Sequence, residues 1–395
     1  MRGSPRHPIE EDPTEMTAFD MSLVQCGARL RRSPYFEAEQ RYGPKGYTVY
    51  NHTLFPIRFD DLEAEYWHLL EHVTLWDVAV ERCLEISGPD GFAFTQLLTP
   101  RDLSACAIGQ AKYVLVCAPD GGILNDPVLT RMDENRFWLA LASSDVLLYA
   151  KGLAAHAGMN VEARELDVAP LQIQGPKAKD VVRELFGDEI LDLSYYFFTE
   201  TEVQGIPVVV TRTGWTSEVG YEVYLCDPGR GADLWELIME AGKPHQIRPT
   251  GPSDIRRVEG GIFNWGADMS HEDNPFELGL DRLVDLDVPC VARDALNRIA
   301  ANGVARRIVG IELDGARFPS LNFTKWPVTI SGSHVGKVTS AVHSPRLEKN
   351  IGYAWLPAEL AELDTELHVE SEWGPRTAKV VPMPFWDPEK QIPVS

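Results

Sequence analysis

The chain has 395 residues, of which 44% are hydrophobic and 24% charged, a balance typical of a globular protein with two or three domains. Its formal net charge of −22 argues against a general binder of nucleic acids or anionic membranes, because such proteins use basic surfaces. No apolar run is long enough to span a membrane, and the start of the chain lacks a signal-peptide core. The sequence therefore predicts a cytoplasmic protein, with residues 1–20 as a mobile leader rich in proline and charge.

Neither a disulfide framework nor a metal site is predicted. The six cysteines are scattered without a C-x-x-C pair, which is typical of reduced, mostly buried thiols; they are Cys26, Cys83, Cys106, Cys117, Cys226 and Cys290. His68 and His72 match an H-x-x-E-H motif and would share one helix face. No distant third ligand accompanies them, so coincidence on an exposed helix is the preferred interpretation.

The first part of the chain reads as a mixture of helices and short strands. We predict an irregular aromatic segment at 47–55, helices at 59–72, 88–98 and 145–156, and strands at 75–80, 83–87, 137–142 and 160–165. Two further strands at 111–117 and 123–129 are joined by a turn at 119–122, which predicts a hairpin.

A similar pattern follows in the middle of the chain. Leu171-Gln-Ile-Gln-Gly-Pro-Lys177 repeats the strand-Gly-Pro-helix pattern of Leu84-Glu-Ile-Ser-Gly-Pro-Asp90. Residues 208–224 predict two strands joined by a loop with a glycine at each end, and the alternation places Tyr221 opposite Glu222 and Tyr224. A helix is predicted at 232–241 and a capped helix at 251–261.

After residue 287 the sequence changes to short strands with few helices, which is typical of a small β-barrel or sandwich. The predicted organisation is two pseudo-repeated α+β domains with antiparallel sheets, at 21–165 and 166–287, followed by a β-rich domain at 288–395. The sequence does not fix the oligomeric state, and a homodimer stays open.

Five separated motifs occur in an order and spacing that resemble the folate-dependent T-protein (aminomethyltransferase) family of the glycine cleavage system. The resemblance extends over residues 45–385. The motifs are Gly121-Gly-Ile-Leu-Asn-Asp126, Ile173-Gln-Gly-Pro-Lys177, Gly214-Trp-Thr-Ser-Glu-Val-Gly-Tyr-Glu-Val223, Arg257-Val-Glu-Gly-Gly261 and Gly336-Lys-Val-Thr-Ser340. The resemblance implies three domains around a central channel for tetrahydrofolate. It also implies that Glu222 hydrogen-bonds the pterin and that Tyr113 and Arg257 contact the folate. For Arg257, an ion pair with Glu259 on the helix surface is nearly as good an interpretation.

Segments such as Thr48-Val-Tyr-Asn-His52, Thr99-Pro-Arg-Asp-Leu103 and Leu124-Asn-Asp-Pro-Val128 resemble a demethylase branch of this family more closely still. That resemblance implies a different reaction. Aminomethyltransferases have an aspartate at the position of Asn125, and asparagine can neither take a proton nor carry negative charge. The branch implies methyl transfer from dimethylsulfoniopropionate to tetrahydrofolate by alignment, without an obligatory catalytic residue. Trp215, Tyr224 and Tyr50 are the implied substrate-binding aromatics, since aromatic rings attract a sulfonium cation; for Tyr224, core packing is an equally good interpretation. Alternatives are another onium or methoxy donor, aminomethyl transfer, and folate binding without catalysis.

Overall fold

The computed structural model describes residue 27 and residues 29–395. The predicted leader at 1–20 and Cys26 lie outside the described residues. Within this part of the chain there are nine α-helices: α1 (Phe36–Glu39), α2 (Leu62–Glu71), α3 (Gly91–Leu98), α4 (Val146–Ala157), α5 (Ala178–Phe186), α6 (Gly231–Gly242), α7 (Asp254–Glu259), α8 (Arg293–Asn302) and α9 (Gln391–Val394).

The strands of the same residues are, in chain order, β1 (Gly46–Tyr50), β2 (Thr53–Arg58), β3 (Thr74–Asp77), β4 (Arg82–Ser87), β5 (Ala111–Tyr113), β6 (Val116–Cys117), β7 (Ile123–Asn125), β8 (Val128–Asp133), β9 (Arg136–Leu141), β10 (Glu162–Glu165), β11 (Ala169–Gln174), β12 (Phe198–Val203), β13 (Ile206–Thr211), β14 (Gly220–Leu225), β15 (Arg248–Pro249), β16 (Arg306–Leu313), β17 (Trp326–Ile330), β18 (Ser333–Ser344), β19 (Lys349–Pro357), β20 (Glu366–Ser371) and β21 (Gly374–Val381).

Two sheets with helices on their outer faces form the first two thirds of the fold. One sheet has five strands in the order β10-β4-β9-β8-β5, and α3 and α4 pack on it through Phe94, Leu98 and Ala150. The other has six strands in the order β12-β13-β14-β11-β3-β15, covered by α5 and α6 through Val181 and Trp235. All pairs are antiparallel except β15 with β3. The predicted α+β architecture is therefore confirmed.

The inner faces of the two sheets pack against each other. Cys83, Trp138 and Ala140 of the five-stranded sheet belong to one buried cluster with Val209 and Tyr224 of the six-stranded sheet. Strand alternation sends the remaining apolar residues of β14 to the opposite, helix-covered face. The polar side chains of β14 are therefore directed into the space between the sheets.

The C-terminal strands close into a barrel with the order β16-β19-β18-β17-β20-β21. This confirms the predicted β-rich part and decides between barrel and sandwich. Its interior is filled by apolar residues such as Val328, Val338 and Val369. The predicted capped helix is confirmed as α7, where the side chain of Ser253 accepts a hydrogen bond from the backbone of Arg256 at 3.3 Å.

Residues 47–55 are not irregular, so that prediction was wrong. They belong to an antiparallel hairpin in which β1 pairs with β2, and β2 continues through Pro56. Asn51 and His52 form its two-residue turn with positive φ of 47° and 61°. Such turns usually contain glycine, whose absence concealed the hairpin in the sequence.

The predicted hairpin of 111–117 with 123–129 is wrong as a single ladder. Each arm is split, so that β5 pairs with β8 in the large sheet while β6 pairs with β7 in a separate two-stranded sheet. Pro127 lies at the break and has no N–H to donate, which explains why the ladder does not continue. Its carbonyl instead accepts a hydrogen bond from the backbone of Val114 at 3.0 Å.

The second sheet includes β3, which precedes residue 165 in the chain. The boundaries at 165 and 287 stay predictions. Among the described cysteines all five are free thiols, and only Cys226 is not fully buried. A search of the described helices finds none with the length and apolar character needed to cross a membrane.

Candidate functional site

Glu222 is buried on the inner face of the six-stranded sheet and its carboxylate is held by several donors. Gln172 Nε2 donates to Oε1 at 2.8 Å, and the hydroxyls of Thr213 and Tyr224 donate to Oε2 at 2.8 and 3.1 Å. Thr211 adds a longer contact to Oε2 at 3.4 Å. Burial raises the pKa of Glu222, against the lowering effect of these donors. The arrangement fixes a carboxylate in one orientation inside the protein.

Tyr224 lies beside Glu222 but is almost fully buried. Its ring packs with Cys83, Trp138 and Val209 between the two sheets, and its hydroxyl donates to Glu222. Most of the Tyr224 side chain is therefore buried by packing in the core, which was one of the two interpretations of the sequence. In this position its hydroxyl helps to orient the carboxylate.

Trp215 lies in the loop between β13 and β14, which is held in place by contacts with the side chain of Gln174. The buried Gln174 side chain accepts a hydrogen bond from Thr216 at 2.7 Å and packs so closely under Gly214 and Gly220 that a Cβ at either glycine would collide with it. This explains why the loop between β13 and β14 has a glycine at each end. The loop leaves Trp215 partly exposed.

An aromatic wall continues from Trp215. Trp215 and Phe55 pack against the buried cluster of Leu69, Trp76 and Val78. Phe55 in turn contacts Tyr50 with ring centroids 6.2 Å apart. Burial raises the pKa of Tyr50, and the charges of Asp126 and Glu81 raise it further. Of the three aromatics implied as substrate contacts, Trp215 and Tyr50 thus lie along one wall.

Asn125 is fully buried and all its hydrogen-bonding capacity is used by the fold. Its Nδ2 donates to Ala142 O at 2.9 Å and Ser144 Oγ at 2.7 Å. Its Oδ1 accepts the backbone N–H groups of Ala142 and Asp126, both at 3.0 Å. The residue fastens β7 to the segment after β9, which is a structural role.

The neighbouring Asp126 is a titratable group whose charge acts on Tyr50 and Glu81. Tyr113 donates its hydroxyl to Asp126 Oδ2 at 3.0 Å. Burial raises the pKa of Asp126 to about 7. Burial also raises the pKa of Glu81 well above its ordinary range, and the charges of Glu222 and Asp126 add to that effect. The charges of Glu222 and Asp126 therefore both act on Glu81.

A group of basic side chains lies beyond Tyr113. Arg101 Nη1 donates to Tyr113 O at 2.5 Å. Partial burial and the positive charge of Arg282 lower the pKa of Arg101 and of Lys390. Burial raises the pKa of Tyr196, the charge of Glu222 raises it further, and the charges of Arg101 and Arg282 lower it, so both groups of charges act on this residue.

Arg257 is buried and paired, but not with Glu259 as the alternative interpretation held. Its guanidinium contacts Asp254 Oδ1 at 2.7 Å, Asp268 Oδ2 at 2.8 Å and Ser340 Oγ at 2.9 Å. Burial lowers its pKa and the two carboxylates raise it, with a net increase. Its Cζ lies 5.7 Å from the Trp215 ring centroid, so it borders the aromatic wall.

The two histidines of the H-x-x-E-H motif make separate contacts. His68 Nε2 lies 2.7 Å from Gln246 O, and His72 Nδ1 lies 2.9 Å from Lys177 Nζ. In the described part of the chain no cluster of three or more His, Cys, Asp or Glu side chains could hold a metal ion.

Sequence reasoning missed Gln172, Glu81, Asp126, Arg101 and Arg282. The alternation of β11 could have placed Gln172 on the same face as Glu222, because Gln172 alternates with the apolar Leu171 and Ile173. Asp126 follows Asn125 in the motif Gly121-Gly-Ile-Leu-Asn-Asp126, whereas no local pattern marks the other three, which come together only through the packing of the sheets.

Comparison with known proteins assigns the chain to a family. The model of the GCVT N-terminal domain matches residues 20–288, and that of the glycine cleavage T-protein C-terminal barrel domain matches residues 306–387. The chain belongs to the glycine cleavage T-protein family.

Within the T-protein family, the chain is similar to proteins of two different activities. It is 37% identical to the dimethylsulfoniopropionate demethylase DmdA of Ruegeria pomeroyi, over 91% of this chain and 98% of that protein. It is 29% identical to an aminomethyltransferase of Bacillus cytotoxicus, over 91% of this chain and 99% of that protein. The structure of aminomethyltransferase T from Bartonella henselae superposes with a TM-score of 0.81 at 23% identity, covering 91% of this chain and 99% of that one. This last likeness confirms the T-protein fold.

Proposed function

We propose that the protein demethylates dimethylsulfoniopropionate, transferring the methyl group to tetrahydrofolate and giving methylmercaptopropionate and 5-methyltetrahydrofolate. The observation that carries the proposal is the buried Glu222 carboxylate, held in one orientation by Gln172, Thr213 and Tyr224. The 37% identity to a dimethylsulfoniopropionate demethylase supports the choice of donor.

The distribution of charge fits a folate. A pterin has N–H donors along its aminopyrimidine edge, which a carboxylate such as Glu222 can accept in charge-assisted hydrogen bonds. The glutamate end of folate carries carboxylates, for which Arg101, Arg282 and Lys390 offer positive charge in an otherwise acidic protein. The charges of Glu222 and of Arg101 and Arg282 all act on Tyr196. The residues present therefore fit tetrahydrofolate, with Tyr113 and Arg257 as further proposed contacts.

The same space suits a cationic methyl donor. The ring faces of Trp215 and Tyr50 attract a sulfonium cation. This contact does not require a tightly hydrated ion pair to lose its water. The Asp126 carboxyl adds negative potential once it has lost its proton, since its charge influences Tyr50. Tyr224 completes the proposed donor site from the side of Glu222.

Little acid–base chemistry is needed for this reaction. Tetrahydrofolate supplies the nucleophilic N5 amine, whose proton is lost to solvent, and the electrons of the breaking S–CH3 bond stay on sulfur as a neutral thioether. The contribution of the chain is to hold both partners in line and exclude water. Aminomethyl transfer is disfavoured, because Asn125 replaces a carboxylate and is fully used in structural hydrogen bonds.

The test is turnover of dimethylsulfoniopropionate with tetrahydrofolate, with both products followed by mass spectrometry. Parallel reactions would use a betaine, a methoxylated aromatic, and an aminomethyl-lipoylated carrier protein. Formation of 5-methyltetrahydrofolate from dimethylsulfoniopropionate supports the proposal. Turnover only with another donor would assign the enzyme to that donor, and folate binding without any turnover would make it a non-catalytic relative. A cytoplasmic location and homodimer formation stay predictions, to be checked by cell fractionation and light scattering.

A further inference from the structure

Gln172 has an unused acceptor next to the Glu222 carboxylate. It lies on β11, opposite Glu222 of β14 on one side and Trp76 of β3 on the other, so all three side chains share the inner face of the sheet. The residue is 1% exposed. Its Nε2 donates to Glu222, but its Oε1 has no hydrogen-bond partner among the described residues.

The orientation of the Gln172 amide is fixed by Glu222. A carboxylate only accepts hydrogen bonds, so the amide must present its NH2 group, and the opposite orientation would bring two acceptors together. The Oε1 atom is thereby directed away from Glu222 and left unpaired. Buried polar atoms in native proteins nearly always have a partner, so this one requires an explanation.

The two oxygens of Glu222 differ in how much acceptor capacity remains. Oε2 already accepts from Thr213 and Tyr224, with Thr211 at longer range. Oε1 accepts only from Gln172. A carboxylate oxygen has about two acceptor positions, which leaves one unused on Oε1. The free acceptors at this point are therefore one carboxylate oxygen and one amide oxygen, on two residues that are paired across neighbouring strands.

We propose that Gln172 is a pterin-binding residue, and that Gln172 Oε1 and Glu222 Oε1 together accept the N–H groups of the aminopyrimidine edge. This inference rests on the proposed function. The edge presents a ring N–H and a 2-amino group, which are two donors for the two acceptors that these paired residues leave free. Glu222 supplies the charge, and Gln172 makes the site specific for the 2-amino group, because a pteridine without that group leaves the amide oxygen unpaired.

The experiment is a thermodynamic cycle that combines a change in the protein with a change in the ligand. Dissociation constants of tetrahydrofolate and of its 2-desamino-2-methyl analogue are measured by quenching of tryptophan fluorescence, for the wild type and for Gln172→Met. Met keeps the length of the side chain and removes both the amide oxygen and the donor to Glu222. Gln172→Asn, whose shorter side chain withdraws the oxygen, serves as a second variant if Gln172→Met does not fold.

We expect removal of the 2-amino group to weaken binding about fivefold more in the wild type than in Gln172→Met, which is the size of one hydrogen bond. If Gln172 only supports Glu222, the substitution weakens both ligands by the same factor, and the inference is overturned while the proposed function stands. If the wild type binds neither ligand, the proposed function fails and the inference fails with it.

Discussion

Substitution of Asn125 by Asp tests whether this side chain is needed for the stability of the fold or whether the position tolerates a catalytic carboxylate. The change replaces Nδ2, which donates at 2.9 Å to Ala142 O and at 2.7 Å to Ser144 Oγ, with an acceptor. Ser144 could rotate its hydroxyl toward the new oxygen, but only by abandoning Leu124 O, to which it donates at 2.7 Å. The carbonyl of Ala142 cannot adapt, because it has no proton to offer.

The magnitude follows from these contacts. The Ala142 carbonyl keeps its hydrogen bond from the backbone of Ser144 at 2.7 Å, so the loss comes from a carboxylate oxygen that faces this carbonyl with no proton between them. Losing the donor costs about 1–3 kcal/mol, and an additional uncompensated charge beside Asp126 brings the loss to about 3–5 kcal/mol at pH 8. The pKa of the new carboxyl will be raised by burial, so the protein will bind more protons folded than unfolded over the range between the two pKa values. Stability of Asn125→Asp must therefore fall as pH rises through that range. At pH 5 a protonated carboxyl restores one donor, and the loss should shrink to about 1–2 kcal/mol.

The assay is urea denaturation followed by circular dichroism at pH 5 and pH 8. Asp133→Asn, at an exposed position in the same part of the chain, is the matched control and should be neutral at both pH values. An Asn125→Asp variant as stable as the wild type at pH 8 would refute the reasoning. It would show that the site accepts a carboxylate and would reopen the aminomethyl-transfer alternative.

Three further predictions concern the ligands. Glu222→Gln should raise the folate dissociation constant about 10- to 100-fold, because charge-assisted hydrogen bonds are lost. Fluorescence titration measures the constant, with Glu200→Gln at an exposed position of β12 as the control, and an unchanged affinity would contradict the pterin assignment. Trp215→Ala should raise the KM for dimethylsulfoniopropionate about 10-fold, whereas Trp215→Phe should retain most of the affinity. Steady-state kinetics at saturating folate measures the KM, and an equal loss in both variants would argue against a ring–cation contact. The affinity for the methyl donor should increase as pH rises through about 7, because Asp126 must lose its proton to attract a cation, and Asp126→Asn should flatten that pH dependence. Calorimetric titration between pH 6 and pH 8 measures the affinity, and an unaltered pH profile in Asp126→Asn would show that this carboxyl does not bind the donor.

The sequence determined most of the architecture by itself, because strand alternation and glycine punctuation are local signals. The faces of β14 were predicted correctly from the alternation of Tyr221, Glu222 and Val223. The capped α7 and the short strands of the barrel were found in the same way. The β1–β2 hairpin was not predicted, because its turn consists of Asn51 and His52 and lacks the glycine that usually marks such a turn.

Only the tertiary structure decided which polar groups meet. Glu81, Asp126 and Glu222 are far apart in the chain, and the charges of Asp126 and Glu222 act on Glu81 because the two sheets pack face to face. Asp268 and Ser340, two of the partners of Arg257, and Ser144, a partner of Asn125, likewise come from distant segments whose positions no local pattern specifies. Hydrogen bonds and charges act over a few ångströms in space, whereas a sequence pattern reports only the neighbours along the chain; the face of a side chain is therefore predictable, and its partner is not.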